Sequence, residues 1–253
     1  MGLSSVPGMQ ATLYAFRISN PSQTARLMLE FKGIEAKWVE LLPGMHPLPL
    51  RVLGFKTGYV PALKLDGRKI EGSLQIAQAL EAAVPEPSLY PADPDKRRAV
   101  EEAERWGESE LQMVPRRIVR HVLAHDNGAR TRIAADMGLP LPSVLAALNA
   151  PIAKWSANRV DADEAAARRN LEELGATLDH VDQLIADGVI GDPGAPNAAD
   201  FQIAPSIRAI GAIGDLTPLL EGRPCDALAR RLLPKFQEAP PMLSPELRAA
   251  AGL

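Results

Sequence analysis

The fold class predicted by the sequence is an α/β domain followed by an all-α region. Two groups of β-compatible segments, each with a helix, lie before Pro85, and strand signals nearly disappear after Asp95. Prolines concentrate between the two parts, at Pro85, Pro87, Pro91 and Pro94. We therefore predict an α/β domain over residues 11–85, a linker over 86–95 and an all-helical domain over 96–253.

The first unit of the α/β domain has the order strand, helix, strand. Ala11 to Phe16 is β-compatible. Asn20, Pro21 and Gln23 are typical of the N-cap, first residue and capping box of a helix. Ala36 to Leu42 predicts the next strand. Such a βαβ unit joins parallel strands through a right-handed crossover.

The second unit has the order strand, strand, helix. Ala62 to Leu65 predicts a strand, Asp66-Gly67 a type I′ turn, and Arg68 to Ile70 the antiparallel return. Pro61 has no N–H for a ladder, so it fits only a strand's first position, an edge or a bulge, and its peptide bond can be cis. Gly72-Ser73 then opens a helix with apolar residues at helical spacing.

Apolar periodicity predicts the helices of the second domain. The clearest one covers Asp163 to Ile185. Asn197 and Asp200 precede another helix, and Asp200 is interpreted as a structural capping residue. Shorter helices are predicted over residues 96–114, 116–123 after a bend at Pro115, 143–155 and 225–236, followed by a proline-broken tail.

Composition excludes several classes of function. A net charge of −3 and 4% aromatic residues give no footprint for nucleic acid or an anionic membrane. Cys225 is the only cysteine, which excludes an intrachain disulfide, a CxxC redox pair and cysteine-based zinc binding, and we expect a buried thiol. Residues 1–10 lack the pattern of a signal peptide, so the expected location is cytoplasmic, with no membrane partner.

Three motifs together resemble the cytosolic glutathione transferase family. They are Ser19-x-x-Ser22-x-x-x-Arg26, Val60-Pro61 before a hairpin and Gly72-Ser73-Leu74-Gln75-Ile76, and Ile190-Gly191-Asp192 followed by Asn197-Ala-Ala-Asp200. The resemblance covers roughly residues 11–236 and implies a thioredoxin-like first domain, an all-helical second domain and a homodimer. It also implies glutathione or a related thiol as co-substrate, with no bound cofactor or metal.

The resemblance implies a thiol site on the first domain. Ser19 aligns with the serine that faces the thiol in serine-type members, with Ser22 as its neighbour and Tyr14 as the alternative donor. Val60 and Pro61, in the family's cis-proline position, would pair with the thiol peptide through the backbone of Val60. Gly72 and Ser73 would hold its carboxylate at a helix start. The simpler interpretation is that Ser19, Ser22 and Ser73 only cap helices.

Two positions depart from the family pattern. Gly72 stands where members usually carry Glu, Gln or Asp, which binds the γ-glutamyl amino end, and Glu71 lies one place earlier. Tyr59 stands where many members have a lysine, with Lys56 nearby. Both departures favour a different low-molecular-weight thiol such as mycothiol, or no thiol.

The acceptor side is predicted from the helical domain. Arg116, Arg117, Arg120 and His121 share one side of a helix, and in this family the equivalent helix lines the acceptor pocket. They are candidates for an anionic substrate or for a solvated face. Trp106 is a candidate for the pocket wall or for core packing.

Two functions follow as hypotheses. The first is an enzyme that joins a thiolate to the electrophilic carbon of a small hydrophobic compound, as the resemblance implies. The second is a catalytically silent binding or scaffold protein with the same fold, since fold alone does not determine activity.

Overall fold

The computed structural model describes residues 8–42, 45–136 and 138–253. Its sheet has four strands in the order β2-β1-β3-β4. β1 is parallel to β2 and antiparallel to β3, which pairs with β4, so the predicted βαβ and ββα units are confirmed. The strands are β1 (Ala11–Ala15), β2 (Ala36–Glu40), β3 (Ala62–Leu65) and β4 (Arg68–Glu71).

The turn between β3 and β4 has the predicted conformation. Asp66 has φ +45° and Gly67 has φ +84°, the two positive values that a type I′ turn needs. The Val60–Pro61 peptide bond before β3 is cis.

Three helices accompany the sheet: α1 (Asn20–Phe31), α2 (Pro47–Val52) and α3 (Ser73–Ala83). The prediction of Asn20 as the N-cap of α1 is wrong. Ser19 has extended backbone angles and its Oγ accepts from the Ser22 N–H, so Ser19 is the cap. Gln23 closes no capping box, because its side chain donates to the Arg17 carbonyl.

The remainder of the described chain is helical apart from loops and one isolated β-bridge. Its helices are α4 (Pro94–Trp106), α5 (Met113–His125), α6 (Asn127–Asp136), α7 (Pro142–Asn158), α8 (Glu164–Glu172), α9 (Leu174–Ala186), α10 (Ala198–Gly211), α11 (Thr217–Leu220), α12 (Pro224–Leu232) and α13 (Pro245–Ala250). A π-helical turn, Gly107–Leu111, joins α4 to α5, and a 3₁₀ turn, Gly214–Leu216, precedes α11.

Three helical predictions need correction. The helix predicted over 96–114 is interrupted at the π-helical turn Gly107–Leu111, and Pro115 lies in the first turn of α5 instead of marking a bend. The helix predicted over 163–185 is two helices, because α8 ends at a cap residue, Glu173. Leu171 and Leu174 are both buried and three residues apart, so the apolar stripe continues across the break and hides it. The proline-broken tail contains α13, whose N-cap is Ser244.

Helix α10 is the centre of the core. It packs against α1, α4 and α12. Phe31 of α1 packs on Phe201 of α10 with ring centroids 5.2 Å apart. The predicted capping box is confirmed: Asp200 accepts from the N–H groups of Asn197 (2.9 Å) and Gly191 (2.8 Å). Asp200 is therefore structural.

Lys32 follows α1 and ties it to the segment after α3. Its side chain is fully buried, and its ammonium group lies 2.5 Å from the Glu81 carboxylate. It also donates to the carbonyls of Val84 and Pro87, both at 2.7 Å. A buried ammonium with this many partners fixes the course of the chain between the two halves.

We expect Lys32→Met to destabilise the protein by about 3 kcal/mol, because it leaves Glu81 without its cationic partner and two carbonyls without their donor. Urea unfolding measures the change. Lys96→Met, which removes an exposed lysine of α4, is the matched control and should have little effect. Equal stabilities of the two variants would contradict the assigned role.

Glu104 of α4 is a buried carboxylic acid. The Tyr90 hydroxyl donates to its Oε2 at 2.8 Å, and its Oε1 has no partner among the described residues. Burial is the main cause that raises the pKa of Glu104 to about 7. The folded state therefore holds a proton that the unfolded state has already lost at mid-range pH.

Because the folded pKa of Glu104 is raised from 4.5 to about 7, this group makes the protein less stable as pH rises through that window. Glu104→Gln removes the charge and keeps an acceptor for Tyr90. We expect the free energy of unfolding of the variant to rise relative to that of the wild type from pH 5 to pH 8. The difference should reach about 1–3 kcal/mol at pH 8. Urea unfolding across this range tests it, with the exposed Glu102→Gln as control. Parallel pH profiles for Glu104→Gln and wild type would refute the assignment.

Candidate functional site

One cleft of about 630 Å³ is lined by both halves of the chain. Its volume is typical of a site for small molecules. Seven of the residues singled out from the sequence line it: Ser19, Val60, Pro61, Gly72 and Ser73 from the first half, and Arg116 and Arg120 from the helical half. A second cavity, of about 460 Å³, lies against α3 and α4 and contains none of them.

Ser19 lies at the start of α1, at the wall of the cleft. Its Oγ accepts from the Ser22 N–H at 3.4 Å, which leaves its own proton available to a group in the cleft. The neighbouring Asn20 donates to Ser206 Oγ (3.1 Å) and to the Gln112 carbonyl (3.4 Å) in the helical half. The N-terminus of α1, with its partial positive charge, is therefore held at the cleft.

Val60 presents a free backbone to the same cleft. Among the described residues, neither its N–H nor its C=O has a hydrogen-bond partner. The preceding loop is fixed by Glu71, which accepts from the N–H groups of Lys56 (2.8 Å), Thr57 (3.0 Å) and Gly58 (2.9 Å). Burial alone would raise the pKa of Glu71, but the hydrogen bond from the Thr57 hydroxyl and those from the N–H groups outweigh it and lower the pKa. Glu71 therefore holds this loop.

Gly72 and Ser73 form the start of α3. Gly72 has φ +91°, which a residue with a side chain rarely adopts, and its N–H donates to the Pro61 carbonyl at 3.0 Å. This backbone conformation explains a glycine at position 72. The Ser73 hydroxyl is buried and has no partner of ordinary geometry among the described residues.

Glu108, from the π-helical turn, places a carboxylate beside this helix start. Burial raises the pKa of Glu108, while the Leu74 N–H, the Ser73 hydroxyl and Arg116 oppose the shift. Its carboxylate thus lies close to both residues of α3 and to the cation of α5. No local pattern in the sequence indicates Glu108, because it comes from the other half of the chain.

Three arginines line the helical wall. The Arg120 guanidinium donates to the Ser156 carbonyl at 3.2 Å, and the Arg116 guanidinium contacts the Met113 sulfur at 3.5 Å. Arg159 stacks on Tyr59, 4.5 Å from the ring centroid, and on Trp155 at 5.0 Å. Burial, then Arg120, lowers the pKa of Arg116 to about 10, so it stays charged at neutral pH.

His46 also lines the cleft. Its ring packs edge-on to Phe16 at 5.3 Å. Burial, followed by repulsion from Arg120 and Arg159, lowers its pKa. The imidazole is therefore neutral at neutral pH.

Several candidates do not line the cleft. The Ser22 hydroxyl, within α1, is buried, and Tyr14 packs on Phe55 at 5.6 Å. Trp106 packs on His180 at 4.5 Å, which agrees with its packing interpretation. Arg117 donates to the Val160 carbonyl and His121 packs on His125, so neither shares the wall with Arg116.

Cys225 is buried and lies outside the cleft. Burial, then Asp182, raises its pKa to about 12, so its thiol is inert. Within the described residues no group of three or more acidic, histidine or cysteine side chains is placed to hold a metal ion. No helix in the described part of the chain has the length and apolarity needed to cross a membrane.

Comparisons with known proteins agree with this geometry. The sequence model of the glutathione S-transferase N-terminal domain matches residues 13–88. A search of curated sequences gives no significant match.

Solved structures share the fold at low sequence identity. A glutathione S-transferase from Sinorhizobium meliloti 1021 has 18% identity and a TM-score of 0.59, covering 94% of this chain and 98% of its own. The beta-etherase LigF from Sphingobium sp. strain SYK-6 has 20% identity and a TM-score of 0.62, covering 95% and 98%. A maleylacetoacetate isomerase from Anaeromyxobacter dehalogenans 2CP-1, with glutathione bound in its active site, has 20% identity and a TM-score of 0.54, covering 98% and 96%.

The fold is thus that of a two-part protein, in which a thioredoxin-like α/β domain and an all-α region share one cleft. Residues 13–88 match the glutathione S-transferase N-terminal domain, and the described chain shares its fold with solved glutathione S-transferase structures.

Proposed function

We propose that the protein transfers a low-molecular-weight thiol, glutathione or a relative of it, to a small hydrophobic electrophile. The observation that carries the proposal is the meeting of Ser19, the free backbone of Val60 and the start of α3 in one cleft. It is supported by the family match and by a fold neighbour that holds glutathione in its active site.

The central chemical task is to keep the sulfur ionised. A free thiol has a pKa of about 8.5, and each unit of lowering takes about 1.4 kcal/mol of preference for the thiolate. The Ser19 hydroxyl donates to the sulfur, while the Ser22 N–H holds the Ser19 oxygen and the N-terminus of α1 adds partial positive charge. The thiol proton leaves to solvent.

The thiolate then attacks the electrophilic carbon of the acceptor. A sulfur–carbon bond forms, and the leaving group departs with the electron pair of the bond that breaks. The thiol is held by extended pairing with Val60 and Pro61 and by its carboxylate at Gly72 and Ser73. Apolar side chains such as Ile18 and Leu123 contact the acceptor.

Glu108 compensates for the glycine at position 72 in this proposal. A thiol peptide with a free amino end needs an acidic partner near Ser73, and the Glu108 carboxylate lies there. The carboxylate of the same ligand accepts hydrogen bonds from the Leu74 N–H and the Ser73 hydroxyl. Glu108 then pairs with the ammonium group of the ligand. A glycine at position 72 is therefore compatible with glutathione as the bound thiol.

The second candidate is a binding protein without turnover, with the same thiol in the same cleft. Tyr59, in place of a lysine, is the observation that favours it. Calorimetric titration with glutathione and mycothiol, beside an assay with chlorodinitrobenzene, separates the two: binding without transfer supports the second candidate. No binding of either thiol contradicts both.

We expect Ser19→Ala to lower kcat/KM for glutathione and chlorodinitrobenzene about 10- to 100-fold, because the thiolate loses a hydrogen-bond donor. The pH profile of kcat/KM should shift to higher pH, as the pKa of the bound thiol rises. Ser22→Ala keeps the backbone N–H that holds Ser19 and should retain the wild-type profile. Loss of activity without a shift of the profile would indicate only a lost helix cap.

We expect Glu108→Gln to raise the KM for glutathione about 3- to 10-fold, since the ammonium group loses a partly exposed anionic partner. Glutaryl-cysteinyl-glycine, which lacks the amino group, should show no change. Because the Glu108 pKa is raised, its charge is lost as pH falls through a value above 4.5, and the wild-type KM for glutathione should rise at acid pH. Glu110→Gln, on the same turn but exposed, is the control. Equal effects on both thiols would exclude ammonium recognition.

A further inference from the structure

Arg116, Arg120 and Arg159 form a cationic cluster on the helical wall of the cleft. Arg116 and Arg120 are one helical turn apart on α5, and Arg159 follows α7. They are close enough to repel: Arg120 lowers the pKa of Arg116, and Arg159 lowers that of Arg120, in both cases after the larger effect of burial. Their positive charges therefore face one region of the cleft.

No carboxylate within the described chain forms an ion pair with any of the three. Their partners are the Ser156 carbonyl, the Met113 sulfur and the rings of Tyr59 and Trp155. The charged groups that also face the cleft are Glu108, Asp136 and Glu238, with His46 neutral. Glu108 attracts Arg116, but it contacts the start of α3.

Grouped cations that form no ion pair are costly unless a ligand neutralises them. The side chains around the three arginines indicate the chemical class of this ligand. Val119, Leu123 and Ile133 line the same cleft, and the rings of Tyr59 and Trp155 lie under Arg159. Apolar and aromatic walls with a cationic end fit a flat organic acid.

We propose that these arginines bind the carboxylate of a small aromatic or aliphatic acid, and that this acid is the acceptor of the thiol. The proposal deepens the function proposed above, and rests on it only in giving the bound acid the role of acceptor. A guanidinium can hold a carboxylate through two parallel hydrogen bonds, which fixes the direction of the ligand. The apolar body of the acid then lies against the side chains of α5.

The thiol itself is a second source of a carboxylate. The observations favour the acceptor, because the arginines share the helical wall with apolar side chains, while Val60 and Ser73 lie on the other wall. The experiment therefore measures acid binding without thiol, and thiol binding separately.

The binding experiment compares 3-nitrobenzoate with its neutral counterpart 3-nitrobenzamide by calorimetry on the full chain without thiol. We expect the benzoate to bind more tightly than the benzamide. Arg120→Met should weaken the benzoate about tenfold and leave the benzamide unchanged. Arg117→Met is the matched control on the same helix, since its side chain faces the Val160 carbonyl, and should leave both affinities unchanged. Urea unfolding confirms that each variant is folded, and Arg116→Met provides a second test of the cluster.

The kinetic arm uses 4-chloro-3-nitrobenzoate and 4-chloro-3-nitrobenzamide with glutathione. Arg120→Met should reduce kcat/KM about tenfold for the acid alone, with the KM for glutathione unchanged. Equal benzoate and benzamide affinities, or the same loss in Arg117→Met, would overturn the proposal. So would a raised KM for glutathione with an unchanged preference for the acid, which would assign the arginines to the thiol. Arginine-dependent benzoate binding without any transfer would preserve the acid site and reject the transferase.

Discussion

The buried ammonium group of Lys32 and its partners hold the two halves of the chain in register. Glu81 accepts from Lys32 and also from the Leu89 N–H, and the Leu89 carbonyl accepts in turn from Ala198 at the start of α10. At the other end of α1, Asn20 donates to Ser206 of α10. Helix α1 is thus fastened to the helical half at both ends, and together with the apolar packing of α1 on α10 these contacts set the distance between the walls of the cleft.

The two walls of the cleft have different origins in the chain. The first-half wall is built from short local motifs: the cap of α1, the residues before β3 and the start of α3. Ser19 lies one residue before the Asn20 anchor, so the same contacts that join the halves also position the hydroxyl. The helical wall is assembled from α5, the end of α7 and the π-helical turn, which only tertiary packing brings together.

This difference decides what the sequence could predict. The Asp66-Gly67 turn and the Asn197–Asp200 capping box are set by neighbouring residues, so their patterns were sufficient. Ser19 and Asn20 are both residue types that favour an N-cap. Ser19 is the cap, because the Asn20 side chain donates instead to Ser206, 186 positions away. Glu108 and Arg159 carry no pattern of their own, because they enter the cleft through the packing of helices from a later part of the chain.

The charges of the cleft also follow from this division. The Glu108 carboxylate lies at the start of α3, where a helix N-terminus favours an anion. Arg116 interacts with both Glu108 and Arg120, and Arg120 interacts with Arg159. The cleft is therefore negatively charged near Ser73 and positively charged near Tyr59, so the electrostatic potential changes along its length. A zwitterionic thiol and an anionic acceptor would respond to this field differently, since one carries both signs and the other only one. Gly72 fits this arrangement: its backbone conformation is one that residues with a side chain rarely adopt, and in the proposed function the helical half supplies the carboxylate in its place.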